Sequence, residues 1–261
     1  MSAKFFQLKS YFTYWLDAVD DHSLHSPFLF DFYKNVLKKE PQPVSDTLKK
    51  IRERLLLDDR VIHVTDFGAG SLTLRSRERK ISDITSVSTT PEKYSQLYSR
   101  MLKRYGSIDI VELGTSVGIN TLYLAKAHPA ARITTFEGST EIVKVARQLF
   151  DENNIANIRI IEGNIDQTLP AYLTTIKKID FAFVDANHRL EPTNRYLALL
   201  LTKTHAESVI VLDDIHYTAE MEKAWQTIQK NELVYTTVDL YRCGLIFFNP
   251  ALTKQNVVLQ F

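Results

Sequence analysis

The chain has 261 residues, a net charge of +1, 44% hydrophobic residues and a single cysteine. That length and apolar content suffice for one large domain, or a domain with an appendage, around a real core; the near-neutral charge argues against a broad nucleic-acid-binding surface. One cysteine excludes an internal disulfide framework, which points to a cytoplasmic protein, and no apolar run approaches a membrane span or a signal peptide, since Lys4, Lys9 and Asp17 break the N-terminal stretch.

Taken in order, residues 3–20 place Phe5, Leu8, Phe12, Trp15, Leu16 and Val19 at helical spacing, an aromatic-rich amphipathic helix expected to pack its rings into the core. Ser26 before Pro27 reads as an N-cap and first-turn proline, and predicts a helix to about Lys39 before the breaks at Pro41 and Pro43. His22 and His25 stand three apart without a further ligand nearby, which suits a loop histidine better than a metal pair. A third helix is predicted from about Ser45 to Leu57. In residues 60–90, Thr65-Asp-Phe-Gly-Ala-Gly70 looks like a glycine motif, but no amphipathic helix and no strand ending in an acid follow; the stretch is expected to be an irregular loop set over the active site, with Arg75, Arg77, Arg79 and Lys80 solvated.

From Pro91 the pattern becomes regular. A helix (91–105) leads into a strand (108–113), a glycine-bearing turn, a helix (120–128) and a strand (132–136). Alternation continues with helix 139–153, strand 157–162, helix 167–176, strand 179–185, helix 192–203, strand 208–213 and helix 219–231, closing on strands 234–240 and 244–248 spaced as an antiparallel hairpin. NVVLQF at the end is a candidate edge strand. Such alternation means an α/β, doubly wound, mostly parallel sheet of seven strands behind a helical N-terminal extension.

The organising stretch is Ile108–Gly138. Gly114 and Gly118 let the backbone approach a ligand, the first N–H groups of the following helix face it, and Glu137, at the end of the next strand, can accept hydrogen bonds from both hydroxyls of a ribose. A dinucleotide would want G-x-G-x-x-G; the spacing here is G-x-x-x-G after Glu112. This resembles motif I of the class I S-adenosylmethionine-dependent methyltransferases, and ELGTSVGINTLYLA is particularly similar to the catechol and caffeoyl-CoA O-methyltransferases. The alternative is a βαβ unit whose glycines serve only a tight turn.

The resemblance, which spans about Pro91 to Asn249, implies a domain at 91–261 behind an N-terminal lid or extension at 1–90. It also implies S-adenosylmethionine held by Glu112, Gly114, Thr115, Ser116, Gly118, Glu137, Gly138, Gly163, Asn164 and Asp185. Asn164 stands where the family usually has Asp. The family binds a divalent metal such as Mg²⁺ through an Asp and an Asp-Asn pair; Asp185, Asp213 and Asp214 match those positions, with Asp214 replacing the Asn. Where the family has a lysine that helps remove the substrate proton, this chain has His188, and an imidazole titrates near neutral pH, so His188 with Asp185 is the catalytic expectation; His216 is a second candidate base. DANH, rather than an Asn/Asp-Pro-Pro-Tyr/Phe tetrad, follows the fourth strand, which favours an oxygen nucleophile on a small hydroxylated molecule, aromatic acceptors included, over DNA. RNA methylation and a non-catalytic cofactor-binding module stay open as alternatives.

Overall fold

A computed structural model describes residues 3–39, 46–65 and 76–261. In chain order the elements are α1 (Ala3–Asp17), α2 (Pro27–Phe32), α3 (Asp46–Leu56), β1 (Val61–His63), β2 (Glu78–Lys80), α4 (Ile81–Ser88), α5 (Glu92–Tyr105), β3 (Asp109–Leu113), α6 (Ile119–Ala127), β4 (Arg132–Glu137), α7 (Thr140–Glu152), β5 (Ile158–Glu162), α8 (Ile165–Leu173), β6 (Phe181–Val184), α9 (Leu190–Leu201), β7 (Val209–Asp213), α10 (Ala219–Ile228), β8 (Thr236–Asp239), β9 (Cys243–Phe247) and β10 (Gln255–Val258). They fall into two compact units, 40–172 and 1–39 with 173–261.

In the first unit β3, β4 and β5 run parallel in that order. β3 and β4 are buried along almost their whole length, as strands covered on both faces must be, and their β-branched run suits that setting. α3, α4, α6 and α7 share one apolar cluster that includes Leu55, Ile81, Val117, Leu122, Leu149 and Phe150. Residues 60–90 depart from the expected irregular loop. Val61–His63 pairs antiparallel with Glu78–Lys80, and α4 follows at once with Ile81 and Ile84 buried. Its apolar residues lie three apart, a single helical turn, too short a pattern to stand out among the surrounding Ser and Thr. The glycine-like run 66–70 and Arg75 lie outside the described residues, as do Pro41 and Pro43.

In the second unit the strand order is β6-β7-β9-β8-β10. β6 and β7 are parallel, β9 is antiparallel to both β7 and β8, and β10 lies parallel to β8 at the edge. The expected seven strands are therefore present, with the C-terminal segment adding an eighth. Ser26 caps α2 as expected, its hydroxyl accepting from Leu29 N–H, and the helix relaxes into a π turn over Tyr33–Leu37 rather than continuing as α-helix.

The aromatic helix α1 corrects a second expectation. Phe5, Phe12 and Trp15 are 56%, 58% and 60% exposed, Phe30 of α2 is also exposed, and only Phe28, half-buried, packs edge-on against Phe247. α1 is held instead by its polar face. Gln7 Nε2 donates to Tyr217 O (3.1 Å), Ser10 Oγ to Glu222 Oε2 (3.1 Å) and Tyr14 Oη to Leu259 O (2.7 Å). Helical spacing gathers apolar residues on one side, but which side meets the sheet depends on the donors and acceptors that the strand ends leave to be satisfied.

Gly118 shows how closely α6 and α7 pack. It caps α6 in the left-handed region (φ 86°), and a Cβ there would stand 2.8 Å from the Phe150 ring. Gly118→Ala combines overpacking, about 1–3 kcal/mol, with left-handed strain of about 1–2 kcal/mol. Urea denaturation of the variant is expected to show a loss of roughly 2–5 kcal/mol, part of it recovered by Phe150→Leu.

Candidate functional site

The turn after β3 is built from the inside outward. Glu112 is fully buried, and its carboxylate accepts from Asn120 Nδ2 (2.9 Å), Thr121 Oγ1 (2.5 Å) and Thr135 Oγ1 (2.7 Å). Burial pushes its pKa up while these three donors pull it back. Thr135 has given its proton to Glu112, so Thr115, 2.6 Å away, donates to Thr135. The network therefore joins β3, the turn, α6 and β4, and Glu112 spends its oxygens inside the protein.

Above this layer the Gly114 and Thr115 N–H groups both donate to Phe136 O, and Gly114 and Ser116 have positive φ (97° and 49°). Ser116 N–H then donates to Glu137 Oε2 and Ser139 N–H to Glu137 Oε1, each at 3.0 Å. Two backbone donors fix the Glu137 carboxylate in one orientation. Ser116 Oγ also contacts Ser88 Oγ at the end of α4 (2.7 Å). After β5, Gly163 N–H donates to Glu137 O (2.9 Å), and Asn164 caps α8, its Oδ1 accepting from Asp166 N–H (3.0 Å). Glu112 aside, the residues expected around a cofactor in this unit are thus brought together at the ends of β3, β4 and β5; the Gly118 face that lacks a Cβ is filled by Phe150.

A second group lies at the ends of β6 and β7. His188 Nε2 stands 3.4 Å from Asp185 Oδ1, and its ring meets Tyr217 edge-on at 6.2 Å. Asp185, His188 and Asp214 offer ligand atoms within 4.8 Å of one another. Asn187, His188 and Asp214 all have left-handed backbone (φ 68°, 48° and 54°), a concentration of strain typical of sites held by their surroundings. Among the described residues, His188 Nδ1 and Asp213 Oδ1 are buried with no hydrogen-bond partner.

Asp213 is fully buried. Burial, then the charges of Asp185 and Asp214, push its carboxyl well above the usual carboxylate range, against the opposing pull of Arg242. Arg242 Nη2 donates to Asp213 Oδ2 at 2.9 Å and stands 3.7 Å from Asp214 Oδ1. The three carboxylates expected to form a metal cage therefore do not present three open ligands. One is committed to a guanidinium, and the convergent set contains a histidine instead.

His216 is engaged elsewhere. Its Nε2 is 2.8 Å from Asp239 Oδ2, which also accepts from Trp225 Nε1 (3.2 Å), and its ring stacks on Tyr241. Of the N-terminal histidines, His22 and His25 are exposed, and Asp21 beside them pairs with Lys34.

Residues 111–215 match a family model described as a methyltransferase domain. Among curated proteins, the austinoid biosynthesis clusters protein F of Emericella nidulans is 22% identical over 170 residues, 60% of this chain and 82% of that protein. Among solved structures, the O-methyltransferase from Bacillus cereus in complex with SAH gives a TM-score of 0.60 at 14% identity, over 80% of this chain and 93% of that one. The O-methyltransferase TomG from Streptomyces achromogenes, involved in tomaymycin synthesis and solved with SAM, gives 0.55 at 18%, over 62% and 82%. At such identities the likeness is one of fold, the α/β fold of the class I methyltransferases. Among the described residues no helix is long and apolar enough to cross a membrane.

Two features of these strand ends escaped sequence reasoning. Asn120, Thr121 and Thr135 carry no signal beyond being polar in an apolar run. Arg242 sits in a hairpin turn, where a lone arginine ordinarily reads as solvated.

The His216 environment has a consequence for stability. Burial works against its charge, but the hydrogen bond and charge of Asp239, with Glu222, outweigh it and hold its pKa above the ordinary value. A raised folded pKa contributes stability that is complete below the ordinary imidazole pKa of about 6.5 and lost as pH rises through the folded value. The difference in unfolding free energy between wild type and His216→Gln, followed by urea denaturation from about pH 6 to about pH 9, is expected to shrink with rising pH; a constant difference would contradict a charged His216.

Proposed function

We propose that this chain transfers a methyl group from S-adenosylmethionine to a hydroxyl of a small acceptor molecule, with 91–261 as the methyltransferase domain and 1–90 as its extension. The observation that carries the reading is the Glu137 carboxylate, held by two backbone N–H groups at the end of β4. A carboxylate held in that orientation at a strand end is suited to accept from the two hydroxyls of a ribose. Gly114, Thr115, Ser116, Gly138, Gly163 and Asn164 frame the same side of the strands, and Glu112 keeps the turn in shape from beneath.

S-adenosylmethionine, when bound, supplies an electrophilic methyl group on a sulfonium. The chain must orient an acceptor oxygen and take its proton. His188 suits that second task, being partly exposed, with Asp185 Oδ1 3.4 Å from Nε2: the carboxylate stabilises the imidazolium formed when the ring accepts the proton. Positioning accounts for much of such a transfer, since bringing two reactants together in line removes the entropy of their encounter. Asp213, one of the three carboxylates expected to hold a divalent cation, is paired with Arg242 instead.

Calorimetric titration with S-adenosylhomocysteine tests the cofactor assignment. Wild type is expected to bind, and Glu137→Ala to bind more weakly by about 1.5–3 kcal/mol, roughly 10- to 100-fold; absence of binding to the wild type would remove the methyltransferase reading. On a panel of hydroxylated acceptors, His188→Ala is expected to lower kcat by about 10²–10⁴-fold, as for loss of a general base, with partial recovery at alkaline pH. A variant with wild-type kcat would take the base assignment away from His188.

A further inference from the structure

The acidic group at the end of β7 already contains a cation. Cys243 of β9 is the register partner of Asp213, so the preceding residue, Arg242, must lie beside the residue that follows Asp213. The hairpin enforces this. Tyr241 takes the left-handed conformation (φ 66°), Leu240 N–H donates to Cys243 O (2.9 Å), and Ile215 N–H donates to Arg242 O (3.1 Å). The outcome is a guanidinium nitrogen 2.9 Å from Asp213 Oδ2 and 3.7 Å from Asp214 Oδ1.

We propose that the guanidinium of Arg242 takes the place of a divalent cation between Asp213 and Asp214, so that the chain itself supplies the positive charge of this cluster. The proposal rests on reading the ends of β6 and β7 as part of the transfer site. A fully buried carboxylate such as Asp213 requires a countercharge, and Arg242 meets that requirement within hydrogen-bond distance. A divalent ion needs its oxygen ligands at roughly 2.0–2.6 Å. It could use Asp213 and Asp214 together only by displacing the guanidinium, which is tied to the same backbone turn that shapes the site. With Arg242 as the resident cation, ionisation of an acceptor hydroxyl depends on His188, and chelators leave the reaction unaffected.

Manganese binding, followed by loss of the free Mn²⁺ signal in electron paramagnetic resonance, tests this without any substrate. Wild type is expected to leave the Mn²⁺ signal unchanged. Arg242→Gln, which keeps a donor toward Asp213, is expected to gain a site at least about tenfold tighter, while Arg242→Lys remains silent. Adding Asp214→Ala to Arg242→Gln should abolish the gained site. Stoichiometric Mn²⁺ binding to the wild type that Asp214→Ala removes would overturn the proposal by itself, whether or not the Arg242 variants fold. Silence in both wild type and a folded Arg242→Gln would overturn it too, since no cation seat would lie beneath the guanidinium. S-adenosylhomocysteine titrations of the same proteins keep the two ideas apart: retained cofactor binding beside a failed manganese result sinks the Arg242 role alone, and a wild type that binds no cofactor sinks the methyltransferase reading.

Discussion

A carboxylate taken out of water has to find donors or a countercharge within the fold, and strand after strand in this protein closes on one. β3 carries Glu112, β4 ends at Glu137, β7 at Asp213 and β8 at Asp239. Each is satisfied differently. Glu112 takes two hydroxyls and an amide, Glu137 two backbone N–H groups, Asp213 a guanidinium, and Asp239 an imidazole, an indole and the Tyr241 N–H. The loops after the strands are shaped by these partnerships.

The mode of satisfaction decides what each acid can still do. Side-chain donors that exhaust a carboxylate, as at Glu112, turn it into a structural tie between strand, turn and helix. Backbone donors that meet each oxygen once, as at Glu137, orient the carboxylate without tying it to the side chains of a neighbouring helix and strand. Asp239 and His216 form a third case. Their charged pair is packed under Tyr241 and beside Trp225, and Glu222, facing the other side of His216, accepts from Ser10 of α1. The aromatic helix is thereby anchored through polar contacts, with Tyr11 and Tyr14 packed on Tyr241, while Phe5, Phe12 and Trp15 stay in solvent.

Strain accompanies the same loops. Ser116, Asn187, His188, Asp214 and Tyr241 are non-glycine residues with positive φ, each at a turn beyond a strand end. Such conformations cost about 1–3 kcal/mol apiece and persist where the surroundings impose them. For His188 and Asp214 the imposed geometry places an imidazole and two carboxylates within reach of one another.

The alternation of strands and helices from Pro91 onward was legible without coordinates, because burial on both faces demands continuous apolar runs and helices demand a 3.6-residue period; element limits agree within a few residues. Gly114, Gly118 and Glu137 stood out for a similar reason: a glycine turn and an acid at fixed spacing are local properties of one βαβ unit. Local pattern does not extend to contacts made across the sheet. That α1 would dock by Gln7, Ser10 and Tyr14, that Asn120, Thr121 and Thr135 would consume Glu112, and that Arg242 would meet Asp213 all depend on which residues the strand register brings face to face. Sequence spacing alone determined the βαβ glycine turn and its acid; only the tertiary structure decided which partner satisfies each carboxylate, because a hydrogen-bond partner 29 positions away in the chain leaves no trace in the residues beside it.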